Sequence, residues 1–223
     1  MYRSERDGRF RVSSSTAQTP AKRVTRRRAA TRGRLLEAAY EVFAAVGFGR
    51  STVEQVCEAA GFTRGAFYSN FGSLDELFLT MWEQRAATML DDVRATLDEI
   101  SIDDVADVRT AVERLTDAVP IDDGWYRITA EFTAHALRTP GLSRVMAARE
   151  EAIVAALVPS IATALARVGR TVPDPAALGH ALVAAHDGTS VQILLEPDNP
   201  VVRARRIDLF CHIVLAYSTD IGG

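Results

Sequence analysis

Between Gly47 and Phe71 the chain reads GFGRSTVEQVCEAAGFTRGAFYSNF, and the side chains there that could do chemistry are hydrogen-bond donors. Thr63, Arg64, Tyr68 and Asn70 fall within one short helical stretch, together with the free backbone N–H groups of its first turn. Arg64 is the only side chain of that stretch able to make a bidentate contact to a guanine edge. Gly65 is a poor helix former, but it would let the backbone come close to a DNA strand. Such a set suits recognition of double-stranded DNA rather than bond making.

These donors need elements to hold them. From Thr31, apolar residues recur at helical spacing (Leu35, Leu36, Ala39, Val42, Phe43, Val46), and Gly47 follows as a natural stop. Thr52 and Gln55 have capping-box spacing and open a second helix whose buried stripe is Val53, Val56, Cys57 and Ala60. Gly61 ends it, and Thr63 caps a third, very short helix reaching about Asn70. Ser73 and Glu76 form another capping box, which begins a long helix through Leu77, Phe78, Met81, Met89, Val93 and Leu97. Two short helices about the tight turn Gly61–Phe62 have the layout of a helix-turn-helix. A helical hairpin packed inside a larger bundle, with Tyr68 and Phe71 as core, would share that periodicity.

Residues 31–80 also resemble the DNA-binding domain of the TetR/AcrR family of bacterial regulators. The likeness runs through TRGRLLEAAYEVFAAVGF and STVEQVCEAAGFTRGAFYSNFGSLDELF, with Thr63, Gly65, Phe67, Tyr68, Asn70 and Phe71 at the family's fixed positions. It implies phosphate contacts from Thr52, Tyr68 and Asn70, groove-facing or base-reading roles for Thr63, Arg64 and Gly65, and a backbone contact from Arg32. One position departs: a lysine usually follows the serine that begins the fourth helix, and here Leu74 stands in its place.

Downstream the sequence predicts only helices, over 102–118, 124–138, 142–168, 175–195 and 200–218. Pro140–Gly141 and Gly169 punctuate them, and Asp174–Pro175 and Asn199–Pro200 each place a capping side chain before a proline at the first helical position. The expected fold is all-α. A flexible basic arm (1–29) leads into a three-helix DNA-binding domain (30–75), and a helical effector-binding and dimerisation domain (76–223) follows. Residues 176–195 carry one charge, Asp187, and are apolar on nearly every side, so the helix must be buried all round. His180, His186, Thr189, Ser190 and Gln192 make it too polar for a membrane span. With the apolar faces of 207–217, it suggests an intersubunit four-helix bundle and a homodimer, which the resemblance implies as well. Trp125, Ile128, Phe132 and His135 share one helical face, near which Met146 and His186 could stand. Trp125, Phe132 and His135 are candidates to line an apolar site for a small-molecule effector, although for any one of the aromatic residues plain core is the commoner role.

Charge divides the chain. Residues 1–34 hold eleven Lys/Arg against Glu5 and Asp7, a net +9; since the whole chain is −3, the remainder carries −12. A basic end on an acidic body suits a protein that meets phosphate at one end only. The two cysteines, Cys57 and Cys211, sit in apolar helical patterns, and the first thirty residues lack an apolar signal segment. The expected setting is therefore the reducing cytoplasm. No glycine-rich phosphate loop, G-x-S-x-G, H-E-x-x-H or paired-cysteine metal site occurs. His135, His180, His186 and His212 form no ligand-spaced pair. The expectation is a regulator with no cofactor and no metal, not an enzyme. Repression of a palindromic operator is favoured only by the resemblance.

Overall fold

The computed structural model describes residues 20–99 and 108–221. Its first helix, α1 (Pro20–Val46), starts well before Thr31. The arm expected over 1–29 is thus corrected in part, because residues 20–29 are helical; residues 1–19 lie outside the described residues. Pro20 suits a first helical turn, where its missing N–H costs nothing, and the alanines, lysine and arginines after it are strong helix formers.

After a single 3₁₀ turn (Phe48–Arg50) come α2 (Val53–Ala60), α3 (Arg64–Tyr68) and the long α4 (Leu74–Glu99). The body follows as α5 (Val108–Asp117), α6 (Asp123–Ala136), α7 (Pro140–Arg167), α8 (Pro175–Leu195) and α9 (Pro200–Ala216). The start expected for α5 at 102 lies outside the described residues. Asp122, Asp174 and Asn199 each accept a backbone N–H as N-caps of α6, α8 and α9. Two strands of two residues each, β1 (Arg170–Thr171) and β2 (Thr219–Asp220), pair antiparallel and were not foreseen. Arg170 fastens them: it donates to Ser218 Oγ (2.8 Å), Ser218 O (2.9 Å) and Asp220 Oδ1 (2.6 Å).

One core cluster unites α1–α4 with α6. Its centre is a set of rings: Phe78 stacks on Phe132 at 3.7 Å between centroids, and Phe48 meets Phe43, Phe78 and Phe132 edge-on. The helices α1–α4 and the body therefore share a core at this junction. Burying Phe132 completely is worth about 1.5–3 kcal/mol, which makes α6 costly to detach.

A polar knot sits beside the rings. Asp122 accepts from the Tyr40 hydroxyl (2.9 and 3.1 Å to its two oxygens), from Arg85 Nη2 (3.1 Å) and from the Trp125 amide (2.7 Å). Burial works to raise its pKa, but these donors outweigh it and hold the carboxyl below the usual value. The Arg85 guanidinium lies over both the Tyr40 and the Trp125 rings. One carboxylate thus ties α1, α4 and α6 together.

At the far end α8 packs on α7 and α9. It is buried on one side only: His180, Ala184, Asp187, Gly188, Gln192 and Leu195 are exposed, against the expectation of burial all round. The expectation rested on hydropathy, which cannot say whether the covering surface belongs to the same chain. Between α8 and α9, Arg206 is 5% exposed. Its Nη1 donates to Thr189 Oγ1 (2.6 Å) and its Nη2 to His186 Nδ1 (3.0 Å). A guanidinium can only donate, so that imidazole nitrogen must be unprotonated. Burial first, and the Arg206 charge second, push the His186 pKa down to about 4. Among the described residues no helix is long and apolar enough to cross a membrane.

Candidate nucleic-acid interface

The local sequence dictates the turn between α2 and α3. Thr52 accepts from Gln55 N while Gln55 Oε1 accepts from Thr52 N, the reciprocal box expected from their spacing. At the other end Gly61 takes φ 69°, a left-handed conformation that costs glycine nothing. Gly61 N donates to Glu58 O, and Phe62 N to Cys57 O, which closes the helix as a Schellman motif. Phe62 then packs against the core, Thr63 Oγ1 accepts from Ala66 N, and α3 begins.

α3 is anchored by Phe67 and Phe71, both essentially buried. That orientation turns Thr63, Arg64, Gly65 and Tyr68 outward, with Tyr68 51% exposed. A Cβ added at Gly65 would meet only Thr63 Oγ1, at 3.7 Å, so the chain's own packing does not require glycine there. Thr52 is exposed too. Five of the seven residues expected at DNA are therefore presented to solvent by α3 and the start of α2.

The other two have internal partners. Asn70 is 8% exposed, and its Nδ2 donates to Ala66 O (2.8 Å) and Ser69 Oγ (3.2 Å). In this state its side chain closes the end of α3 instead of standing at the surface. Arg32 donates to Asn70 O (2.7 Å) and Thr80 Oγ1 (3.1 Å), and its guanidinium lies 4.1 Å from the Phe71 ring centroid. It clamps the end of α3 between α1 and α4, and Arg34 ties α1 to the end of α2 through Ala60 O (2.8 Å). Leu74 is half-buried against the same core, so the position where the family carries lysine serves packing here. Ser73 caps α4 through Glu76 N, while Glu76 reaches back to Gly72 N.

Two features were missed by sequence reasoning. Arg28, assigned to the arm, donates from α1 to Ser69 O (3.2 Å), which brings the basic start of α1 alongside the end of α3. Arg26 and Arg27 are exposed beside it. Glu54 of α2 pairs with Arg64 at 2.8 Å. The length of α1 could have been read from the alanines, lysine and arginines that outnumber Val24, Thr25 and Thr31 ahead of Leu35; the Glu54 pair depends on the crossing of two helices and left no local signal.

The residues expected to hold an effector form a packed group at the junction. Phe132 is 0% exposed and stacked on Phe78, so in this state it offers no surface to a ligand. Trp125 is half-buried over Arg85 and in ring contact with Phe78. His135 lies against Phe48 and Phe132, its Nε2 buried 3.2 Å from Asp75 Oδ1 but too poorly aimed for a hydrogen bond. Met146 packs on the same cluster, whereas His186 is held by Arg206 of α9.

A short exposed helix capped after a glycine turn, carried on a three-helix unit fused to a helical body, defines a helix-turn-helix regulator. Residues 35–81 match the family described as bacterial regulatory proteins, tetR family, and residues 104–216 match the C-terminal domain of BetI-type transcriptional repressors. The chain belongs to the TetR family, whose members are DNA-binding transcription regulators and not enzymes. The transcriptional activator FasR of Mycolicibacterium smegmatis is 31% identical over 100 residues, 45% of either chain. The transcriptional repressor AcnR of Corynebacterium efficiens is 38% identical over 63 residues, 28% of this chain and 34% of its own. The chain thus matches less than half the length of these curated relatives. A TetR-family regulator from Pectobacterium atrosepticum superposes with a TM-score of 0.60 at 22% identity, covering 89% of this chain and 96% of that one. A TetR regulator from Haloarcula marismortui gives 0.65 at 13% identity, covering 86% and 100%. At these identities the likeness speaks for the fold.

Proposed function

We propose that this protein is a homodimeric repressor that holds a palindromic operator and leaves it when a largely apolar small molecule binds its C-terminal body. The observation that carries the DNA half is the outward set Thr52, Thr63, Arg64, Gly65 and Tyr68 on a capped, core-anchored helix pair. In this reading Arg64 reads a guanine, Thr63 and Gly65 face the groove, and Thr52 and Tyr68 bind phosphate, with Asn70 and Arg32 supporting them from behind. Repression is supported by the BetI-type repressor match over 104–216. Activation is the second reading, because FasR is an activator.

The sensor half is supported by the junction. A ligand entering beside Trp125 and His135 would have to part the Phe78–Phe132 stack, and α6 would then move against α4 and α1 together. In a dimer that motion changes the spacing of two recognition helices, which must match major grooves about 34 Å apart or a multiple of that. Linkage requires operator DNA to weaken ligand binding by the same factor, typically about 5–150-fold.

The test is fluorescence anisotropy on labelled duplexes tiling the DNA that flanks the coding sequence. It is repeated while titrating a panel of apolar acids, amines and neutral compounds, and followed by a promoter–reporter assay. Selective binding to one duplex, relieved by one compound class, is the expected result. Sequence-blind binding would sink the operator reading. DNA affinity indifferent to every ligand that binds would sink the sensor reading alone.

A further inference from the structure

Glu54 is an odd residue for a DNA face, because a carboxylate repels the phosphates that such a face must approach. It lies just after the Thr52 cap, in the first turn of α2, and its Oε1 is 2.8 Å from Arg64 Nη1. The two side chains are 56% and 62% exposed, and pairs of that kind add little to fold stability. Its consequence lies in where it holds the guanidinium. On the other side Tyr68 closes in, with the Arg64 carbon 5.9 Å from the ring centroid. Arg64 is therefore bracketed by an acid from α2 and an aromatic ring from its own helix.

A guanidinium offers two edges with paired donors, Nη1–Nη2 and Nε–Nη2. Glu54 engages Nη1 and the Tyr68 side chain is the guanidinium's other hydrogen-bonding neighbour; the Nε–Nη2 edge is the one that can meet N7 and O6 of a guanine without releasing Nη1 from Glu54. The carboxylate also disfavours DNA that offers phosphate but no guanine at that place. Both effects trade general affinity for discrimination, the repulsive element that specific interfaces use.

We propose that Glu54 is a specificity-determining positioning residue: through its pair with Arg64 it aims one guanidinium edge at a guanine and penalises duplexes that lack it. This rests on the DNA-binding reading above. The experiment uses the full chain and two duplexes of equal length and composition, one enriched by the wild-type protein from a randomised library and one scrambled. Glu54→Gln should bind the scrambled duplex more tightly and lose discrimination at the guanine position, each by about two- to fivefold, the range an exposed ion pair supports. Glu54→Asp keeps the charge but shortens the reach, so it should relax base preference without gaining affinity for the scrambled duplex. In an Arg64→Ala background Glu54→Gln should leave base preference unchanged. Unaltered discrimination in Glu54→Gln, or an equal change with and without Arg64, overturns the proposal. If the wild-type protein enriches no sequence at all, the DNA-binding reading falls and takes this proposal with it.

Discussion

Arg64 and Tyr68 stand on the same exposed helix, yet their donors differ in what they can read. A bidentate guanidinium contact distinguishes guanine from other bases, whereas a phenolic hydroxyl on phosphate carries no base information. Arg64→Ala should therefore cost about 1–3 kcal/mol on the preferred sequence and flatten preference at one position. Tyr68→Phe should weaken all duplexes alike. Binding of both variants to a library of single-base operator changes checks this, and matching, sequence-blind losses would make Arg64 a backbone contact. His186 gives a residue-scale prediction of another kind. Its pKa falls from about 6.5 in the unfolded chain to about 4 in the folded one. Between these values the unfolded state binds more protons, so stability falls as pH drops from about 6.5 towards 4. The acid-linked loss reaches about 3 kcal/mol near pH 4. Urea unfolding of the wild type between pH 7 and 4, set against His186→Gln, should show a flatter profile in the variant. Parallel profiles would mean that burial and Arg206 do not hold the imidazole neutral.

At the scale of elements, the decisive contact is α6 against α1 and α4. Phe132 is fully buried and stacked on Phe78, so Phe132→Ala removes ring contacts that join the two units. The expected loss is about 3–5 kcal/mol, in the range for a large aromatic cut to alanine in a core. Thermal unfolding measures it, and a loss below about 1 kcal/mol would mean that the junction repacks easily. The helices themselves were largely legible. Capping boxes, Gly61 and the Asp–Pro and Asn–Pro starts are local chemistry, so they placed α2, α3, α8 and α9 within a residue or two. The two-residue strands were not, because a pair that short has no alternation to read; Arg170 and Ser218 hold them by contacts 48 residues apart.

For the whole molecule, the exposed side of α8 and α9 is the outstanding feature. Leu195 is 76% exposed, Val201 52%, Leu209 42% and Leu215 46%, alongside exposed His180, Asp187 and Gln192. A side chain at Gly188 would meet nothing within 4 Å in the single chain. Gly188→Arg should therefore leave the protomer folded while dissociating a dimer, and operator affinity should fall with it. Light scattering at micromolar concentration checks this, and a monomeric wild-type protein would end the four-helix-bundle reading.

What the sequence determined alone was what short-range chemistry can carry: most helix ends, the turn at Gly61, the donor side chains Thr63, Arg64 and Tyr68 on one short helix, and the basic end of an acidic chain. Each follows from a residue and its neighbours within a turn or two. What only the tertiary structure decided were pairings between helices far apart in the chain. Arg32, expected at DNA from the resemblance, proves to be bonded to Asn70 O and Thr80, while the Asn70 side chain closes the end of its own helix. Phe132 and Trp125 read as core more readily than as pocket, and the first is sealed against Phe78. Glu54 read as nothing until α3 crossed α2. A side chain's type limits what it can bind, but its partner is set by which helices the core brings together.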